Sequence, residues 1–287
     1  MLSQQDISLQ RIEMEIRRRS LTDRRMGYVW IIVPVLPMLA AIVFAGAIVG
    51  IVISSISNLQ QTSNVVPAVA QIVAVYTVAL IAIYVVLIAD SLAFYFLLDR
   101  RNRHFKRQQL LFAEIPTYLL AMKGQASNNC ARLIELADSF IFEEKDRPAS
   151  LWAILSLFAM PIVGLVIAYN LTQDMRKHEE LQSAYQLTLP LALQEVGIAQ
   201  PPVSALKPRN RDPIVFLVLT AITAGVFWVY WFYTLLKDYN DHFAAQAVFE
   251  DQVLAILRPM VICQTCKGSI PQNAKFCPLC GTAQLSG

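Results

Sequence analysis

The sequence predicts an all-α integral membrane protein that ends in a small cysteine-rich segment. Of its 287 residues, 56% are hydrophobic and 16% are charged, whereas an ordinary soluble domain carries about 25% charged residues. The hydrophobic residues gather in four blocks, each long enough to meet the roughly 20-residue requirement for crossing the hydrocarbon of a bilayer. These blocks comprise residues 28–54, 65–98, 151–171 and 214–236. Four of the five cysteines follow Ile262, which sets the last segment apart.

The blocks divide the chain into five predicted regions. They are an amphipathic cytoplasmic helix (1–27), two transmembrane helices (28–98), a cytoplasmic helical segment (99–150), two further membrane segments each followed by a polar helix (151–258), and the cysteine-rich segment (259–287). The first region is polar and runs straight into the first apolar block, without the apolar core of a signal peptide. We therefore expect the first block to stay in the mature protein.

The Lys and Arg residues predict the orientation of these segments. Six of the 24 precede Tyr28, nine lie between Asp99 and Ser150, and none lies between Ser55 and Val66. Loops rich in Lys and Arg stay in the cytoplasm. We therefore expect a multi-pass protein of the cell membrane, with the N-terminus and the cysteine-rich segment in the cytoplasm.

The first region allows two interpretations. Leu9, Ile12 and Ile16 share one face of the predicted helix, and Glu13 and Arg17 form an i,i+4 pair. The helix is either solvated and held by its own ion pairs, or its narrow apolar stripe contacts anionic lipid or a partner protein.

Four cysteines carry the most specific motif of the chain. Cys263, Cys266, Cys277 and Cys280 form two C-x-x-C pairs separated by ten residues. Four thiolates in this arrangement are typical of a structural Zn²⁺ site and leave no open position for catalysis. So short a segment buries too little core to fold without such an ion. Disulfides are the alternative interpretation, which a reducing cytoplasm disfavours.

The residues around these cysteines closely resemble the short zinc ribbons appended to many bacterial and archaeal membrane proteins. The matching positions outside the cysteines are Ile270-Pro271, Ala274, Phe276, Pro278 and Gly281, within residues 263–281. The resemblance implies a cytoplasmic, structural ribbon that contacts protein or nucleic acid. Lys267 and Lys275 form no basic cluster with interleaved aromatic residues, so the sequence favours a protein partner over nucleic acid.

The fourth apolar block resembles an uncharacterised prokaryotic membrane domain, whose usual motif is Thr-Leu-Gly-Ile-Tyr followed by Tyr-Trp-x-Tyr. The matching residues are Thr223, Gly225, Phe227, Tyr230, Trp231 and Tyr233. Ala224 stands for the usual Leu and Phe227 for the usual Tyr. The resemblance covers about one block, implies a membrane-embedded module and brings no enzymatic activity.

A repeat links three distant parts of the chain. His104, His178 and His242 each stand nine residues after a tyrosine and four residues before a glutamine. In the second and third copies, Asp174 and Asp238 precede the histidine by four residues, so that Asp, His and Gln share one face of a polar helix. We therefore expect one unit used three times, an apolar helix or hairpin that continues as a polar cytoplasmic helix.

Blocks three and four allow two arrangements. Pro161, Gly164 and Gly225 lie midway along them, where they can bend or interrupt a helix. Blocks that enter and leave on one face would be re-entrant hairpins, with arms of about ten residues that are too short to cross. Four ordinary spanning helices are the alternative, which blocks of about 20 residues fit equally well. The basic segment between the two blocks slightly favours the hairpins, because it belongs in the cytoplasm.

The acids and histidines of the repeat also allow two interpretations. An acid and an imidazole one helical turn apart more often form a surface ion pair or hydrogen bond than a metal site. Three copies could instead converge on one ion. The first copy departs from the pattern, since Asp99 stands five residues before His104. The sequence therefore favours local pairing within the second and third copies.

We expect no enzymatic activity, because no Ser-His-Asp, Walker, phosphate-loop or paired-carboxylate motif stands in a suitable context. The expected function is a non-enzymatic membrane scaffold or accessory subunit, which docks a protein partner through its cytoplasmic helices and zinc ribbon. The alternative is a transporter or channel component that uses Gln71, Thr77 and above all Asp90, although a position near the headgroups would also explain Asp90. The sequence carries no signal for an oligomeric state.

Overall fold

The computed structural model describes residues 3–61, 66–124, 127–198, 207–258, 260–267, 269–271, 276–277 and 279–283. Over these residues the protein is almost entirely helical, as predicted. The helices are α1 (Gln4–Thr22), α2 (Ile32–Gln61), α3 (Val66–Lys123), α4 (Asn128–Glu143), α5 (Ala149–Glu195), α6 (Pro213–Ile222) and α7 (Val226–Leu257), with a 3-10 turn at Tyr28–Ile31. Two short strands, β1 (Met260–Ile262) and β2 (Ser269–Pro271), follow α7.

Three helices are long and apolar enough to cross a membrane. They lie within Tyr28–Ser57, Val69–Lys123 and Ala149–Glu195. In the first two, large apolar side chains such as Val43 (71% exposed) and Val78 (66% exposed) are not covered by the described chain. Lipid hydrocarbon is the solvent that suits such surfaces. The chain is therefore a multi-pass membrane protein.

α2 and the first half of α3 lie side by side in opposite directions. Trp30, next to the start of α2, packs edge-on against Phe96, near the end of the apolar part of α3, with ring centroids 5.6 Å apart. α3 then continues unbroken from the apolar block to Lys123. At about 1.5 Å per residue, its part from Asp99 onward forms a rod of about 37 Å.

Block three bends back on itself. α5 loses helical geometry at Ala159 (φ −139°, ψ 43°), two residues before Pro161, which lacks a backbone N–H and disfavours a straight helix. Before α5, Arg147 donates two hydrogen bonds to Asp174, with Nε–Oδ2 at 2.6 Å and Nη2–Oδ1 at 2.8 Å. The two ends of block three therefore lie at one level. The arm from Ala149 to the bend is about 15 Å long, half the thickness of the hydrocarbon.

Block four folds back in a similar way. A tight turn separates α6 from α7, and in it Ala224 (φ 48°) and Gly225 (φ 91°) adopt left-handed backbone conformations. Glycine suits such a turn because it has no Cβ. Arg211, before α6, donates to Asp238, beyond the block, with Nη2–Oδ1 at 3.0 Å. Both blocks thus have the geometry of hairpins and not of straight spans.

Beyond the hairpins, α3, α5 and α7 continue side by side in one direction as a three-helix bundle. Tyr185 of α5 donates to the carbonyl of Phe112 in α3 (2.9 Å), and Tyr118 of α3 donates to the carbonyl of Leu257 in α7 (2.8 Å). These partners are 73 and 139 residues apart. The corresponding histidines of the repeat are 74 and 138 residues apart. The three helices therefore keep the same register along the bundle, as parallel helices do.

α1 and α4 cover the sides of the bundle. Ile12 and Ile16 of α1 are buried in one apolar core with Leu133, Leu136 and Phe140 of α4. The apolar stripe of α1 packs on its own chain, so both interpretations of this stripe are wrong: it is not solvated, and it does not contact lipid or a partner. The physical reason is that the part of α3 beyond Asp99 has one apolar face along its length. α1 packs on this face and buries it.

A second core joins the hairpins to α3. Phe94 of α3, Ile167 and Leu171 of α5 and Trp231 of α7 are all buried in it. Trp231 also donates its indole N–H to the hydroxyl of Thr172, at 2.9 Å. This core holds the three long helices together at the point where the bundle begins.

Candidate metal centres

The four predicted zinc ligands lie together beyond α7. The sulfur atoms of Cys263, Cys266, Cys277 and Cys280 are all within 4.8 Å of one another. Cys263 and Cys280 place their sulfur atoms 3.8 Å apart, and Cys266 and Cys277 place theirs 3.6 Å apart. A tetrahedral Zn²⁺ with Zn–S bonds of about 2.3 Å holds its sulfur ligands about 3.8 Å apart. The donors and their spacing therefore fit one zinc ion.

Backbone N–H groups favour the thiolate form of Cys263. N–H groups of Cys266 and, to a smaller extent, Thr265 lower the pKa of the Cys263 thiol to about 6, against the opposing effect of burial. The thiolate is the form that binds metal. Zinc with four sulfur ligands has no open position, so its role here would be to hold the segment folded.

Short strand pairings surround the cysteines. β1 and β2 pair antiparallel, and Phe276 forms a single bridge with Ala283. Ala274, Lys275 and Pro278, which belong to the predicted ribbon, lie outside the described residues. The metal-binding donor set is thus present, and the zinc-ribbon fold stays a prediction.

The three histidines of the repeat meet at the centre of the bundle. His104 of α3, His178 of α5 and His242 of α7 are completely buried. The Nε2 atom of His242 is 3.1 Å from Nε2 of His178 and 3.2 Å from Nε2 of His104. Phe105 stacks on the ring of His178, and Phe243 lies against that of His104, with centroids 4.3 and 4.5 Å apart. We call this arrangement the histidine layer.

The local pairing that the sequence favours is wrong. Asp174 and Asp238 bind Arg147 and Arg211 instead of the histidine one turn later. Each aspartate stands one turn closer to the hairpins, level with the arginine that precedes the hairpin. The histidines instead turn toward the other two helices, which a rule about neighbours on one helix does not consider.

Each imidazole has a carboxylate on the side of its Nδ1 atom. The Nδ1–oxygen distances are 3.0 Å for His104 and Asp23, 2.6 Å for His178 and Glu144, and 3.5 Å for His242 and Glu179. The sequence analysis missed all three acids, because they lie outside the repeated residues. A signal for two of them exists, since Asp23 and Glu144 each end a polar helix and precede basic residues ahead of an apolar block.

Burial keeps the imidazoles of His104 and His178 neutral. It lowers the pKa of His104 to about 3, although Asp23 favours the charged form. It also lowers the pKa of His178 well below its ordinary value, and it raises the pKa of Glu144 to about 8. A neutral imidazole has a lone pair on one ring nitrogen, which can bind a metal ion.

A second polar layer lies one helical turn further along the bundle. Gln108, Gln182 and Gln246, the glutamines of the repeat, are completely buried. Gln182 donates to Gln246, and both Gln246 (3.1 Å) and Gln108 (3.4 Å) donate to Glu250. Arg107 also donates to Glu250, at 2.8 Å. The histidines and glutamines of the repeat therefore form successive layers inside the bundle.

Asp90 is buried within the chain. Its residue exposure is 2%, and Oδ2 has no hydrogen-bond partner among the described residues. The next residue, Ser91, donates to the carbonyl of Ala153 and accepts a hydrogen bond from Ser156 at 3.0 Å. This turn of α3 thus lies against the first arm of α5, and the position of Asp90 near the headgroups stays a prediction.

Comparisons with known proteins found no counterpart of these centres. The chain matches no protein-family model, and the searches of curated proteins and of solved structures found no significant match. The two resemblances of the cysteine segment and of block four therefore stay predictions.

Proposed function

We propose that this protein is a non-enzymatic membrane scaffold or accessory subunit, whose cytoplasmic bundle and zinc-binding segment dock a protein partner. The observation that carries the proposal is the attachment of the cysteine segment to the bundle. α7 ends at Leu257, and β1 begins at Met260. From Asp238 to its end, α7 extends about 30 Å away from the hairpins. The protein thus offers a metal-binding segment at the end of a helical stalk.

Exposed apolar side chains support a protein partner. Phe276 and Leu279 of the cysteine segment are 65% and 67% exposed, and Phe142 at the end of α4 is 74% exposed. Large apolar and aromatic side chains are typical anchors of protein interfaces. Nucleic acid is the weaker proposal, because the segment contains only Lys267 and Lys275 as basic residues.

The proposal requires all three polar helices on one side of the membrane. A parallel bundle forms only if α3, α5 and α7 leave the bilayer on the same face. Lys207, Arg209 and Arg211 precede α6, and basic residues of this density favour the cytoplasm. Blocks three and four would then be re-entrant hairpins.

Site-specific crosslinking in cells tests the docking role. A photoreactive phenylalanine analogue at Leu279 should give discrete crosslinked protein bands, and Cys277→Ser in the same chain should remove them because the segment no longer holds zinc. The matched control is the analogue at Val78, which faces lipid and should give no protein band. The scaffold proposal fails if Leu279 and Phe142 give no protein crosslink, or if Cys277→Ser leaves the bands unchanged.

One observation favours a second candidate, a transporter or channel component. Asp90 is a buried acid in a membrane helix with an unpartnered oxygen, and such acids commonly line ion pathways. Flux of protons and small cations into proteoliposomes separates the two candidates. A transporter should lose flux in Asp90→Asn and keep it in Ser156→Ala, with assembly intact in both. A scaffold should show no protein-dependent flux, and both variants should retain the crosslink at Leu279.

A further inference from the structure

We propose that the histidine layer is a metal site, in which His104, His178 and His242 bind one divalent transition-metal ion. The expected ion is Zn²⁺ or one with the same preference for imidazole nitrogen. The site is separate from the four cysteines, and the proposal does not depend on the scaffold function.

The distances between the ring nitrogens carry the proposal. The three ligand nitrogens lie within 4.8 Å of one another, with Nε2–Nε2 distances of 3.1 and 3.2 Å from His242 to the other two. A tetrahedral Zn²⁺ with Zn–N bonds of about 2.0–2.1 Å holds its nitrogen ligands about 3.3 Å apart. The imidazoles are thus already close to the separation that one shared ion requires.

Hydrogen bonds alone do not satisfy this layer. A ring nitrogen of neutral histidine carries either one hydrogen or one lone pair. Nε2 of His242 faces two other Nε2 atoms, so it completes a well-formed hydrogen bond with one of them at most. The second contact must then share that single hydrogen or lone pair, in a layer that is completely buried. A metal ion accepts a lone pair from all three nitrogens and needs no such sharing.

The carboxylates behind the imidazoles support the same ligand set. Metal-binding histidines commonly donate their other ring N–H to a carboxylate, which fixes the tautomer and orients the ring. Here Glu144 forms a hydrogen bond of 2.6 Å with Nδ1 of His178. Asp23 and Glu179 each place an oxygen near Nδ1 of His104 and His242, at 3.0 and 3.5 Å. When each Nδ1 carries the hydrogen on the side of its acid, the Nε2 lone pairs point toward the centre of the layer.

The position of the layer indicates what the ion would do. Each copy of the repeat contributes one ligand, so a single ion would join α3, α5 and α7 at one level and fix their register. Complete burial and the packed rings of Phe105 and Phe243 separate the layer from solvent. Three histidines leave the fourth position of a tetrahedral ion without a protein ligand, but its separation from solvent favours a structural ion over a catalytic one.

Metal analysis of the full-length chain, purified with a tag free of histidine, tests this proposal. In the variant Cys277→Ser/Cys280→Ser, we expect one Co²⁺ per chain, with the absorption of a nitrogen-bound tetrahedral ion and no thiolate charge-transfer bands. Glu144→Gln should weaken binding by roughly 10- to 100-fold, as the loss of a carboxylate partner does. His178→Gln removes a direct ligand and should weaken binding more than Glu144→Gln.

The matched control is Gln182→Leu, which changes a buried polar residue one turn away and should retain the ion. Circular dichroism and size-exclusion chromatography verify that each variant is folded. A folded cysteine variant that binds no Co²⁺ overturns the proposal, as does Co²⁺ binding that His178→Gln leaves unchanged. If the variants do not fold, X-ray absorption at the zinc edge of the unmodified protein decides, with mixed nitrogen and sulfur ligands expected and sulfur alone contradicting the proposal.

Discussion

The two candidate metal centres of this protein are built in opposite ways. The four cysteines stand within residues 263–280, and their sulfur atoms lie within 4.8 Å of one another. The three histidines are spread over residues 104–242, on three helices that emerge from different membrane segments. The first centre needs only its own segment and an ion, whereas the second needs the whole bundle in register. A local centre can therefore be predicted from the spacing of its residues, whereas a dispersed centre is found only in the packed fold.

The largest expected effect is the loss of the cysteine centre, with the stability of the bundle unchanged. Cys277→Ser/Cys280→Ser removes two of the four thiolates and should abolish zinc binding by the segment. The segment should then unfold, because metal binding supplies about 10–16 kcal/mol to the folding of short structural zinc modules. Limited proteolysis should then cleave readily after Arg258, while the thermal unfolding of the bundle stays unchanged. Cys130→Ser is the control and should retain the zinc. A bundle that unfolds together with the segment would show that the two centres depend on each other.

The second-largest expected effect is a lower free energy of unfolding of the bundle around the histidine layer. Arg107 donates to Asp23 (2.7 Å) and to Glu250 (2.8 Å) inside the bundle. Arg107→Met therefore leaves buried Asp23 without its arginine and Glu250 with only Arg19, at 3.6 Å. We expect the free energy of unfolding to fall by about 3–5 kcal/mol, measured by chemical denaturation in micelles, with the cysteine segment unaffected.

Arg132 provides the matched control for this variant. It pairs with Glu135 at 2.8 Å on the surface, where both side chains are mostly exposed. Surface ion pairs contribute little to stability, so Arg132→Met should leave the unfolding curve nearly unchanged. Equal losses in the two variants would contradict the buried network around the histidine layer.

A smaller effect tests the docking of α1. Ile12 is completely buried between α1 and the bundle, whereas Met14 on the same helix is half exposed. Ile12→Ala should lower the free energy of unfolding by about 3 kcal/mol and weaken the histidine layer, since α1 positions Asp23. Met14→Ala should do neither. A stable Ile12→Ala chain that loses membrane or partner binding would restore the earlier interpretation of α1.

The smallest effect concerns the hairpin turn of block four. Gly225 has φ 91°, a conformation that costs an alanine about 1 kcal/mol or more. Gly225→Ala should lower the thermal midpoint slightly and leave both metal centres loaded. Gly46→Ala is the control, because Gly46 is helical in α2 with free space around its Cβ position, and alanine favours the helix there. A midpoint raised by Gly225→Ala would contradict the left-handed turn.

Much of the fold could be predicted because its signals are local. Apolar blocks of about 20 residues predicted the membrane segments, and the spacing of Cys263, Cys266, Cys277 and Cys280 predicted their association. Pro161 and Gly225 indicated bends near the positions where the structure has them. Each of these signals depends on neighbours along the chain.

The histidine layer could not be predicted in the same way. The repeat of His104, His178 and His242 was visible in the sequence, but the favoured partner was the acid one turn away on the same helix. The actual neighbours lie on other helices, and the acids behind the rings, such as Asp23 and Glu144, come from helices outside the repeat. The direction in which a buried side chain turns depends on packing between helices, which periodicity along one helix does not specify.

The histidine layer requires that the three polar helices leave the membrane on the same side, and the proposed scaffold requires that this side is the cytoplasm. The most direct measurement is the labelling of a cysteine introduced at exposed Asn210, in a chain whose five native cysteines are replaced by serine, with a membrane-impermeant maleimide. Ser57→Cys, near the outer end of α2, serves as the external control and should be labelled in intact cells. We expect Asn210→Cys to be labelled only after the cells are opened. Labelling of Asn210→Cys in intact cells would make block three a true span, put α5 and α7 on different faces and contradict the bundle.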